Sequence, residues 1–171
     1  MDTGIRTDRI EQVRECVSEM LEQVPDAFLR ADGYVHMFGV AQACVMIALR
    51  RGEDVELAAI AGYLHDIATY STGDSTKHAR RGAEMARPIL DSLGLFSEEE
   101  MNRICTAISL HSDKKTVHGP LDEILKDADV LQHCTYDPGF VAKKEKDRFR
   151  KLCKEFRLKE LLQTLLNIIR H

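Results

Sequence analysis

Residues 61–69 read AGYLHDIAT, and they place a histidine and an aspartate, His65 and Asp66, next to each other inside an apolar helical stretch. A protein core excludes such polar groups unless something compensates for their burial. Neutral imidazole nitrogen and carboxylate oxygen are also the ligand types that suit iron, manganese, zinc or magnesium. The pair therefore predicts part of a metal site.

Further side chains of the same two types occur in other stretches with helical spacing. They are His36 in YVHMFGV (34–40), His78 in KHARRGAEMA (77–86), His111 in AISLHS (107–112) and Asp129 in LKDADVLQH (125–133). Donors on different helices would be held by the packed bundle, which favours a preorganised site. If His78 and His111 complete a second set, Asp66 is the natural carboxylate to bridge two ions.

In their order and local context these five stretches resemble the HD-domain superfamily of metal-dependent phosphohydrolases, in the variant whose motif runs His, His-Asp, His, His, Asp. The resemblance covers roughly residues 30–135. It implies an all-helical fold with a mono- or dinuclear metal centre that acts on phosphate esters or anhydrides. The ligands that it implies are His36, His65, Asp66, His78, His111 and Asp129. Many members have a lysine three residues after the His-Asp pair, where this chain has Thr69.

Composition favours one soluble globular domain. The chain has 171 residues, of which 44% are hydrophobic and 30% charged, and these values are ordinary for a single domain with a proper core. Together with the resemblance, this composition predicts a single compact helical HD domain over 1–171, with flanking helices at both ends. The net charge of −4 gives no basic footprint, so we expect no nucleic-acid polymer as a partner.

The cysteines and the N-terminus indicate the compartment. The five cysteines form no Cys-x-x-Cys pair, which is typical of reduced thiols in a cytoplasmic protein. The N-terminus has no apolar signal segment, and no run approaches about 18 apolar residues. We therefore expect a cytoplasmic protein without a membrane span.

Apolar residues recur at helical spacing throughout, which predicts an all-α fold. Predicted helices begin at or near Asp8, Tyr34, Asp54, His78, Ser97 and Leu121, and the third ends near His65 and Asp66. Two polar segments, Tyr70–Lys77 and Ser112–Pro120, are predicted loops beside the metal site. The leucine-rich terminus with Leu161, Leu162, Leu165 and Leu166 fits either core packing or a homodimer contact.

Phosphate recognition requires cations near the metal site. The loops offer Lys77, Arg81 and Lys114 as the first candidates for binding substrate, ahead of Arg80 and Lys115. His133 lies four residues beyond Asp129 on the same helix face, so it either reaches substrate or a bound water, or is a surface histidine. The predicted catalytic residues are Asp66, Lys77 and His133.

The leading functional prediction is a metal-dependent phosphohydrolase that acts on a nucleotide or another small phosphorylated metabolite through metal-activated water. One or two divalent ions are expected per chain, iron or manganese first, with magnesium, cobalt and zinc as alternatives. Two other classes stay open. One is a di-iron oxygenase with the same ligand order, and the other is a non-catalytic module that binds a nucleotide.

Overall fold

The computed structural model describes residues 7–136 and 145–158, and the regular structure within these ranges is α-helical. The helices are α1 (Thr7–Glu22), α2 (Ala27–Arg51), α3 (Val55–Leu64), α4 (Ile67–Thr72), α5 (His78–Leu93), α6 (Glu98–Leu110), α7 (Pro120–Tyr136) and α8 (Lys146–Glu155). The predicted all-α fold is confirmed. The leucine-rich segment from Leu161 to Leu166 lies outside the described residues.

Helix α2 begins earlier than the sequence predicted. The Asp26 side chain accepts hydrogen bonds from the backbone N–H groups of Phe28 and Leu29, so this residue caps the helix at Ala27 rather than near Tyr34. Gly52 ends it in the left-handed conformation, with φ of 70°. His36 therefore lies inside the helix rather than in its first turn.

The segment predicted as a loop from Tyr70 to Lys77 begins with a helix instead. After a break at Asp66, α4 runs from Ile67 to Thr72, and Gly73 ends it with φ of 69°. Ile67 and Tyr70 are buried. Tertiary burial of these side chains outweighs the serine- and threonine-rich composition that favours a loop. The predicted loop therefore shrinks to 73–77.

The core forms where α2 packs against α3 and α7, while α5 packs against α6. A Cβ on Gly62 would lie 2.6 Å from the Cα of Ala41, so α3 and α2 cross at a distance that only glycine permits. By length and composition alone α2 would be able to cross a membrane. Its contacts with α3 and α7 make it instead a central helix of the bundle.

Helix α8 is fixed against α7 by charge and by packing. The Arg148 guanidinium donates to Glu123 at 2.8 Å and to Asp127 at 2.7 Å. Phe149 is buried in an apolar cluster with Val130 and other side chains of α7 and α8. The helix therefore has a defined position beside the 112–119 loop. The five cysteines are free thiols.

Candidate metal centre

Two pairs of histidines lie at the centre of the bundle with their Nε2 atoms facing each other. His36 on α2 and His65 at the end of α3 approach to 3.0 Å between these atoms. His78 at the start of α5 and His111 at the end of α6 approach to 3.1 Å. The sequence-predicted histidines thus come together from four different helices.

Asp66 lies between the two pairs. Its Oδ2 is 3.5 Å from His36 Nε2 and 3.8 Å from His65 Nε2. Its Oδ1 is 3.6 Å from His78 Nε2 and 3.5 Å from His111 Nε2. The helix breaks at Asp66, with φ of −110° and ψ of 20°. This break lets two neighbours in sequence point into one site, which a continuous helix would separate by about 100°.

Each histidine ring is oriented by a contact at its other nitrogen. The Nδ1 atoms of His65, His78 and His111 lie 2.8, 3.0 and 2.7 Å from the backbone carbonyls of Gly62, Ser75 and Ile108. His36 Nδ1 lies 2.8 Å from the Gln132 side-chain oxygen. Because a carbonyl oxygen only accepts, each ring carries its proton on Nδ1 and directs the Nε2 lone pair into the site.

Burial and neighbouring charges shift the pKa values of these groups in different directions. Burial lowers the pKa of His36, but the carboxylates of Asp66 and Asp129 outweigh it and raise that pKa above its ordinary value. Burial lowers the pKa of His65 to about 3, so this ring is neutral at physiological pH. Burial alone would raise the pKa of Asp66, but the surrounding histidines, His65 foremost, hold it below its ordinary value. The pKa of Asp129 is lowered in the same way, against burial and mainly by Lys114.

Asp129 on α7 extends the His36 side of the site. Its Oδ1 is 3.6 Å from His36 Nε2 and 3.7 Å from His133 Nδ1. Its Oδ2 pairs with the Lys114 ammonium. The His133 ring stacks on His36 with 4.8 Å between centroids and 16° between planes. Asp127 points the other way, into ion pairs with arginines of α2 and α8.

A cavity of about 490 Å³ opens onto these side chains. Its lining includes Asp66, Thr69, Ser75, His78, His111, Ser112, Asp113, Lys114, Lys115, Asp129, His133 and Glu145. Burial lowers the pKa of His133, and Asp129 and Glu145 partly oppose that shift. The lysines of this lining are Lys114 and Lys115.

The three other sequence-predicted cations, Lys77, Arg80 and Arg81, do not line this cavity. Arg81 donates to the Asp74 carboxylate at 2.7 Å and to Thr72 Oγ1 at 3.0 Å, so it braces the turn after α4. Lys77 is exposed and takes a positive φ of 51° where α5 begins. Substrate contacts by Lys77 and Arg81 stay predictions.

Sequence reasoning missed Gln132 and Glu145. Gln132 follows Asp129 by three residues, so helical spacing places it on the same face of α7 and would have been a usable signal. Glu145 lies far from any ligand motif, at the start of α8. Its approach to the cavity depends on how α8 packs on α7, which a local pattern does not report.

The donor set fits a divalent metal. Three groups have ligand atoms within 4.8 Å of one another: His36 with His65 and Asp66, Asp66 with His78 and His111, and His36 with Asp129 and His133. Asp66 Oδ1 is buried and has no hydrogen-bond partner among residues 7–136 and 145–158. A cation between converging lone pairs removes both their repulsion and the cost of this unpaired oxygen.

The chain is similar to known proteins of one family. The sequence model of the HD domain matches residues 33–133. A Bacillus subtilis (strain 168) protein named "Putative phosphohydrolase YueE" is 30% identical over 132 residues, which are 68% of this chain and 73% of that protein. The crystal structure of a "predicted HD superfamily hydrolase" from an uncultured Thermotogales bacterium has a TM-score of 0.56 and 25% identity, covering 90% of this chain and 91% of the other. The chain therefore belongs to the HD-domain family.

Proposed function

We propose that this protein is a metal-dependent phosphohydrolase that acts on a small phosphorylated metabolite, with nucleotides among the candidates. The observation that carries the proposal is the position of Asp66, whose two oxygens each face a separate pair of histidine nitrogens. This arrangement supports a site for two ions, in which Asp66 would be a ligand of both. The family match and the names of the two relatives support hydrolysis.

In this proposal His36, His65, Asp66 and Asp129 hold one ion, and Asp66, His78 and His111 hold the other. Iron and manganese are the proposed metals, because imidazole and carboxylate together suit both. A bound pair of such ions supplies positive charge to phosphate oxygens and acidifies a coordinated water. The protein's contribution is to fix the ligands on helices and helix ends whose positions the core determines.

The side chains around the ions position the substrate. Lys115 lines the cavity and offers an ammonium group to the phosphate. Lys114 is already paired with Asp129, so it orients this ligand and adds positive charge on the same side. His133 faces the cavity between Asp129 and the solvent, where it contacts the substrate or an attacking water.

A cytoplasmic location stays an expectation from the reduced thiols.

The test is a panel of phosphate monoesters and anhydrides, including p-nitrophenyl phosphate, with manganese, iron, cobalt or magnesium added to protein freed of metal. We expect the wild-type protein to release phosphate. Asp66→Asn should abolish this activity, whereas the control Asp91→Asn, at an exposed residue, should retain it. Release of no product from the whole panel would contradict the proposal. Activity with magnesium, which is redox-inert, would remove the oxygenase alternative, whereas oxygen uptake that depends on substrate would favour it.

A further inference from the structure

Glu145 presents a buried acceptor that the metal centre does not use. The residue is 8% exposed and lines the cavity. Its Oε2 has no hydrogen-bond partner among residues 7–136 and 145–158, and the ligand groups found in those ranges do not include it. A buried carboxylate oxygen without a partner is costly, so an acceptor held in this state is suited to a donor that arrives with a ligand.

The position of Glu145 is fixed by the packing of α8. Its backbone carbonyl accepts from Phe149 N at 3.0 Å, and Phe149 is itself buried. Arg148, on the same turn, donates to the backbone carbonyl of Lys114 at 3.1 Å. The contacts of Arg148 and Phe149 therefore hold Glu145 at the cavity, and a fixed side chain favours recognition of a ligand.

Thr69 provides a second unpaired group in the same cavity. Its Oγ1 is buried and has no hydrogen-bond partner in the described parts of the chain. A hydroxyl both donates and accepts, while the Glu145 carboxylate only accepts. A ligand that satisfies both groups must carry hydrogen-bond donors of its own, and hydroxyl groups are donors of this kind.

The cavity wall carries side chains of both charges. Lys114 and Lys115 favour a phosphate group beside them. A second phosphate next to Glu145 would face a like charge in a partly buried setting, which is unfavourable. The Glu145 side therefore suits the uncharged, hydroxyl-bearing part of a substrate, and disfavours an extended polyphosphate.

We propose that Glu145, with Thr69, forms a subsite that binds the hydroxyl groups of a phosphorylated sugar, so that the substrate class is a phosphate monoester on a polyhydroxylated skeleton. Free sugar phosphates and the ribose of a nucleoside monophosphate share this chemistry. The inference rests on the proposed phosphohydrolase function, because it assigns the substrate of the same site.

The binding experiment uses phosphonates, which the enzyme cannot hydrolyse. Manganese-loaded protein is titrated calorimetrically with the phosphonate analogue of ribose 5-phosphate and with methylphosphonate, which has no hydroxyl-bearing skeleton. We expect Glu145→Ala to weaken the ribose ligand about tenfold, as loss of a hydrogen bond to a charged group does, and to leave methylphosphonate unchanged. Glu145→Gln, nearly isosteric, should weaken it less. Thr69→Val should weaken it severalfold.

Asp147→Asn is the matched control, since Asp147 is on the same helix with its side chain 88% exposed, and it should bind both ligands like the wild type. Equal weakening of both phosphonates by Glu145→Gln, or no weakening of the ribose ligand, would overturn the subsite. The subsite would also be overturned if the wild-type protein bound the ribose ligand no more tightly than methylphosphonate, or if it bound neither ligand. Repeating the titration with the phosphonate of adenosine monophosphate distinguishes a nucleotide from a free sugar phosphate.

Phosphate release by the same variants separates this inference from the function on which it rests. If binding of the ribose ligand depends on Glu145 but neither ribose 5-phosphate nor methyl phosphate releases phosphate, the subsite stands, and hydrolysis of these two compounds is excluded. If methyl phosphate is hydrolysed and Glu145 affects neither ligand, the hydrolase stands and the subsite is wrong.

Discussion

His78 and His111 face each other with their Nε2 atoms 3.1 Å apart, although both rings already use Nδ1 toward backbone carbonyls. Two unprotonated nitrogens at this distance repel each other unless a cation lies between them. The pair therefore makes physical sense as half of a metal site. Together with Asp66 Oδ1, it forms a ligand group that shares only Asp66 with the one around His65.

We expect His78→Ala to lower the metal content from about two ions per chain to about one, because the remaining pair keeps its own ligands. Hydrolysis should fall by about two orders of magnitude, since both ions contribute charge to the phosphate. Metal analysis of the purified protein, together with an activity assay, measures both quantities. His118→Gln, outside the ligand groups, should keep the full metal content. Unchanged metal content in His78→Ala would show that this histidine is not a ligand.

Gln132→Leu should weaken metal binding about 10-fold to 100-fold while the protein stays folded. The reason is that Gln132 accepts from His36 Nδ1 and so holds the Nε2 lone pair toward the site. Competition with a chelator measures the affinity. Gln42→Leu is the control, since Gln42 is an exposed glutamine on α2 and its loss should leave the affinity unchanged. Equal affinities for the two variants would contradict a role of Gln132 in orienting His36.

Local sequence signals predicted several elements of the fold because their causes are local. Helix α6 starts after Ser97, as expected, and a capping box between Ser97 and Glu100 stabilises this start. Helix α5 starts at His78, as expected, and Gly94 ends it in the left-handed region. Helix α4 was missed because its stability comes from burial of Ile67 and Tyr70 rather than from its composition.

The candidate site also contains residues that a local pattern predicts and residues that only long-range packing places. The histidines and aspartates were recognisable because their motif reports chemistry directly. The cation that reaches Asp129, Lys114, was one candidate among several, and only the path of the 112–119 loop distinguishes it from Lys77. Glu145 was not recognisable, because its place depends on the long-range packing of Arg148 against α7.

Gly62→Ala should destabilise the protein by about 1–3 kcal/mol, because the new methyl group would overlap the α2 backbone at Ala41. The sign of the effect tests the packing directly. In a helix with open space, replacing glycine by alanine stabilises by roughly 0.5–1 kcal/mol. Urea unfolding measures the free energy, and a gain in stability would contradict the close crossing of α2 and α3.

The last prediction concerns a buried ion pair outside the candidate metal centre. Arg9 on α1 donates to Glu56 on α3 at 2.9 Å, and its Nη1 reaches the Glu100 carboxylate at 2.9 Å. Its guanidinium also lies 4.9 Å from the centre of the Phe96 ring. Arg9→Met should therefore destabilise the protein by about 3–5 kcal/mol, because it leaves the Glu56 carboxylate buried without its partner.

The double variant Arg9→Met/Glu56→Leu should recover most of that loss, since two apolar side chains pack where two charges were paired. Arg14→Met is the matched control: Arg14 pairs with Glu11 on the exposed face of the same helix, and its loss should cost less than about 1 kcal/mol. Urea unfolding of the four proteins measures these differences in the free energy of unfolding. If the double variant were as unstable as Arg9→Met alone, the cost would come from lost packing of the arginine side chain rather than from an unpaired carboxylate.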